Sequence, residues 1–145
     1  MVSCHTASGI SMSFENEHHQ SLDNIKRQAK RLAKTLDIPL TEAQFLLAKY
    51  IYLENSFGDI KTKIKCDEST GRMFLTNVSP KSNEEVQSTF INEFGDLLVS
   101  IQNSPMVTLY NGSARELLVK VFGVSADSKS YYFHFKKLFI RIDTG

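Results

Sequence analysis

The chain has 145 residues, 41% hydrophobic and 23% charged, with a formal net charge of +1. This is the composition of a globular chain with room for one core, which excludes a polar disordered protein. Bulk charge is too small to attract nucleic acid by itself, and no run approaches the roughly 18 apolar residues of a bilayer span, so a polyanion partner needs a local patch and no membrane partner is expected.

Residues 1–20 read as a flexible tail, small and polar apart from Ile10, Met12 and Phe14. The opening lacks the basic and apolar stretches of a secretory signal, and Cys4 and Cys66 have neither zinc-site spacing nor a disulfide framework. A reducing, cytoplasmic setting is the expectation. Cys4, His5, His18 and His19 are metal-ligating residue types, but nothing in a tail fixes their geometry, so no metal and no cofactor are expected.

Helix periodicity starts at Ser21, a candidate cap followed by Asp23 in the first turn. Leu22, Ile25, Ala29, Leu32, Ala33 and Leu36 share one stripe, while Lys26, Arg27, Lys30, Arg31 and Lys34 lie on the other side with no anion among them. This basic ladder is the strongest electrostatic feature of the chain, and solubility with compensation of the helix dipole explains it equally well. Pro39 biases Ile38 out of the helical region and ends the helix. Thr41-Glu42-Ala43-Gln44 reads as a capping box, with Leu40 stapling onto Phe45, and opens a second helix through Leu46, Leu47, Ala48 and Ile51. A third helical turn near residues 57–60 completes a unit of helix-turn-helix size.

Residues Leu22…Ile25-Lys26-Arg27-Gln28-Ala29-Lys30-Arg31-Leu32-Ala33…Leu36-Asp37-Ile38-Pro39-Leu40-Thr41-Glu42-Ala43-Gln44…Leu47-Ala48 resemble a short helical module found at the ends of diverse bacterial and plasmid-borne proteins, some of them glyoxalase-related. Leu53, Phe57 and Ile60 stand in the module's aromatic, Trp and Leu places, and Tyr52 stands where Gly is usual. The resemblance covers residues 22–60 and implies a bacterial mobile-element setting. Glyoxalase activity is not carried over, because the remaining sequence has no His/Glu metal quartet.

Beyond residue 60 the period shifts to two. Ile60, Thr62, Ile64 and Cys66 alternate with Lys61, Lys63 and Lys65, predicting a strand over 60–66, with Cys66 as a small core filler. Residues 72–78 return as its hairpin partner. Ser82-Asn83-Glu84-Glu85 caps a helix through Val86, Phe90, Phe94, Leu97, Leu98 and Ile101, in which Gly95 suggests close packing on a neighbour. Residues 106–110 read as a short strand. Ser113-Ala114-Arg115-Glu116 opens a helix ended by Gly123, and residues 131–142 read as a long aromatic strand whose apolar face switches at Lys136-Lys137. The predicted fold class is α+β, in the order ααββαβαβ, with a tail (1–20), a helical module (21–60) and an α+β domain (61–145).

Catalytic motifs are missing from the sequence: no nucleophile elbow, zinc helix, phosphate loop or dinucleotide fingerprint occurs. His134 reads as a semi-buried strand histidine, and Asn111-Gly112-Ser113 as turn and cap. The expectation is a non-enzymatic accessory protein that binds DNA or RNA backbone through Lys26, Arg27, Lys30, Arg31 and Lys34. A possible second patch comprises Tyr132, His134, Lys136, Lys137 and Arg141, an arrangement that also suits a lysine-protected edge strand. The alternative is an adaptor or inhibitor docking on an acidic protein.

Overall fold

The computed structural model describes residues 12–124, with side chains from residue 18 onward. Helix α1 spans Met12–Leu36, so Ser21 lies inside it and donates a 3.3 Å hydrogen bond to Asn77 instead of capping an end. The predicted stripe is the buried one: Ile25, Ala29, Leu32 and Leu36 are closed to solvent. Asp37 takes a left-handed conformation (φ 56°) and the Ile38 amide donates back to the Ala33 carbonyl at 3.0 Å, which ties off the last turn before Pro39.

Helix α2, Leu40–Leu46, follows directly on Pro39 without a side-chain cap, so Thr41 lies within the helix and the expected capping box is not formed. Its last turn widens into a π-helical segment, Leu47–Tyr52, closed by Leu53 in the left-handed region and by the Glu54 amide on the Ala48 carbonyl at 2.8 Å. Helix α3, Phe57–Lys65, begins at Ser56, whose hydroxyl accepts from the Asp59 amide at 3.1 Å.

The predicted α+β class is therefore corrected: among the described residues the fold is helical and holds no strand. The stretch read as a strand over 60–66 lies mostly in α3. Ile60 and Ile64 fit an i, i+4 spacing as well as alternation, and with Phe57 they make a buried helical stripe. Thr62, a β-forming residue, is accommodated by donating its hydroxyl to the Gly58 carbonyl one turn back. The supposed return strand is a 3-10 turn, Met73–Asn77. Its carbonyls are claimed by α1: Asn24 donates to Thr76, and Gln28 donates to both Leu75 and Val78 at 2.9 and 3.1 Å. The predicted strand 106–110 is mostly helix α6, Met106–Leu109, started by Pro105. The predicted strand over 131–142 lies outside the described residues.

The long helix expected from residue 83 breaks at Glu93 (φ −93°, ψ 0°) into α4, Glu84–Asn92, and α5, Phe94–Gln102. The break turns Phe94 edge-on to Phe90, with ring centres 5.5 Å apart. Asn83, not Ser82, supplies the cap, and Gly95 has open space rather than a neighbour beside it. Helix α7, Ala114–Phe122, starts at Ser113 and ends at Gly123 as the sequence predicts. Cys66 sits half-buried at the end of α3 and is disulfide-bonded, which corrects both its reading as a core filler and the expectation of no disulfide.

Buried residues from Ile25 to Val124 form one cluster. Helix α1 packs against α2, α3, α7 and the 3-10 turn, so the helical module and the residues after it share a single core. Among the described residues no helix is long and apolar enough to cross a membrane.

Candidate functional site

The outer face of α1 is what this packing leaves uncovered. Lys26, Lys30 and Lys34 recur every fourth residue, which sets their Cα atoms about 6 Å apart along the helix axis. All are exposed, and none is ion-paired with a carboxylate of the described residues.

The two arginines of the ladder behave differently. Arg27 Nε lies 3.0 Å from Asp23 Oδ2, one turn back, in a solvent-exposed pair that offsets its charge locally. Arg31 is half-buried, and its Nη1 donates to the Val121 carbonyl at 3.1 Å, satisfying an orphan acceptor in the last turn of α7. Burial lowers its pKa from the usual guanidinium value, and the neighbouring charge of Arg27 adds to that effect. Arg31 therefore tethers α7, and the open track is the lysine set. Tyr132, His134, Lys136, Lys137 and Arg141 lie outside the described residues.

A polar cleft of about 620 Å³ separates the start of α1 from the turn after α3, the 3-10 turn and the start of α4. Its lining includes one cation, Lys81, and two carboxylates, Asp67 and Glu68, so it offers no basic patch to a polyanion. His18 Nε2 lies 3.8 Å from Asp67 at its rim.

One group escaped the sequence reading. Phe45, expected to staple onto Leu40, is 48% exposed, and Lys49 Nζ sits 5.4 Å from its ring centre and 5.5 Å from that of Tyr50. Phe45 and Lys49 stand at the i, i+4 spacing of neighbours on a helix face, whereas Tyr50 beside the same lysine carries no signal in that spacing. The π-helical segment that holds Lys49 and Tyr50 is not written in the hydrophobic period. Comparisons with protein-family models, curated proteins and solved structures give no match to this chain.

Proposed function

We propose that this chain is a non-enzymatic accessory protein that holds the sugar-phosphate backbone of nucleic acid along α1, through Lys26, Lys30 and Lys34. The observation that carries the reading is the row of exposed lysines at regular spacing, with no described carboxylate paired to any of them. Ammonium groups on flexible stems neutralise phosphates without reading base edges, so the contact positions a nucleic acid and does not select its sequence. Arg27 and Arg31 drop out of the expected set, the first offset by Asp23 and the second committed to Val121.

The test is a salt titration of binding to a labelled duplex. Release of counterions from three phosphate contacts gives a slope of log K against log salt of about −2.7. Replacing Lys26, Lys30 and Lys34 together by Gln, a residue of similar helix propensity, is expected to bring that slope close to zero with the circular dichroism unchanged. If the triple variant binds as the parent does, the lysines are a solvated face and the reading fails. Retention of one defined acidic protein after nuclease treatment, with no measurable duplex binding, would reassign the track to a protein partner.

A further inference from the structure

The π-helical segment Leu47–Tyr52 is the least ordinary piece of backbone in the described chain. Hydrogen bonding from i to i+5 widens the turn, and such segments recur at functional sites because they re-aim side chains that a regular helix would separate. Lys49 and Tyr50 lie in this segment, and Lys49 Nζ sits over both the Tyr50 ring and, one turn back, the Phe45 ring. Tyr50 is half-buried and anchors the group, whereas nearly half of Phe45 remains open to solvent. Lys49 is exposed and is ion-paired with no carboxylate of the described residues. Helix α2, which carries Phe45, packs directly on the helix that carries the lysine track.

We infer that Phe45, Lys49 and Tyr50 form a base-stacking platform, so that the nucleic acid taken up along α1 is a single strand. This rests on the backbone-binding reading above and adds the substrate class to it. An unpaired base offers a free π-face to the Phe45 ring, and Lys49 beside it meets the adjoining phosphate. Phe has no hydrogen-bonding group, so the stacking accepts any base, in keeping with a track that reads no sequence. A duplex keeps its bases stacked inside and presents none to the ring.

The experiment compares the full chain with Phe45→Ala and Phe45→Tyr on three probes: labelled oligothymidine, a duplex of the same length, and vesicles of phosphatidylserine and phosphatidylcholine. Phe45→Ala is expected to weaken oligothymidine binding about 5- to 150-fold while leaving duplex binding unchanged, and Phe45→Tyr to restore it. Equal losses on strand and duplex, or no loss on the strand, overturn the platform while leaving the lysine track standing. Loss of vesicle binding with strand binding intact also overturns it and gives the ring to a lipid surface. A parent chain that binds neither nucleic acid overturns the backbone reading itself, and the platform with it.

Discussion

Gln28 is fully buried in the middle of α1, and every polar atom of its amide is used. Its carbonyl accepts from the Tyr52 hydroxyl at 2.7 Å, and its amide nitrogen donates to the carbonyls of Leu75 and Val78. Removing it leaves the Tyr52 hydroxyl and the Val78 carbonyl without the Gln28 partner, while the Leu75 carbonyl keeps the Val78 amide at 3.1 Å, so Gln28→Ala is expected to cost about 3 kcal/mol in urea unfolding, against about 1 kcal/mol for Tyr52→Phe. Burial holds the Tyr52 hydroxyl pKa well above its ordinary value. An unfolded tyrosine ionises near pH 10 while the folded one keeps its proton, so the unfolded state binds fewer protons above that pH. The stabilising contribution is complete below about pH 10 and is lost as pH rises toward the folded value, at up to about 1.4 kcal/mol per pH unit. Urea titrations stepped through alkaline pH are expected to show this component in the parent and not in Tyr52→Phe. At this scale the apolar stripe of α1 was legible from its period, but Gln28 was not. A polar residue beside the stripe scores as surface until a long-range partner is known, and its partners lie 24 to 50 residues away.

Among the elements, helix ends follow local chemistry closely. The Ser113 hydroxyl accepts from the Glu116 amide at 3.1 Å and Gly123 closes α7 at φ 67°, both readable as cap and stop. Three other ends use non-glycine residues in the left-handed region: Asp37, Leu53 and Asp67. For Leu53 this conformation brings a steric penalty, and its side chain is 60% exposed, so little packing offsets it. Leu53→Gly is expected to raise stability by about 0.5–1 kcal/mol, read as a higher urea midpoint with an unchanged m-value. The strands were misread for a related reason. Over seven residues, alternation and helical spacing select overlapping sets, and the deciding signal at α3 was the cap at Ser56 with Asp59 behind it. At residues 73–78 no local signal decides, because the carbonyls that a strand partner would bind are taken by Asn24 and Gln28 from α1.

For the molecule as a whole, the division at residue 60 read from the change of period has no counterpart in the core, which runs from Ile25 to Val124 without a break. The apolar side of α1 is covered partly by α7 and by the 3-10 turn, both later in sequence than the helical module. A fragment ending at residue 60 is therefore expected to lack a cooperative thermal transition by circular dichroism, whereas the full chain shows one. The lysine track was legible as charge pattern, but the standing of each cation in it was not, since Arg31 is claimed by a carbonyl 90 residues away. That tether ties the outward lysines to the inward assembly of the fold. The helix carrying the charges is also the keel on which the later helices are laid, so the ruler of ammonium groups keeps its graduation only while the hull is closed, and a chain that has lost its α7 seam presents loose cations instead of a measured row.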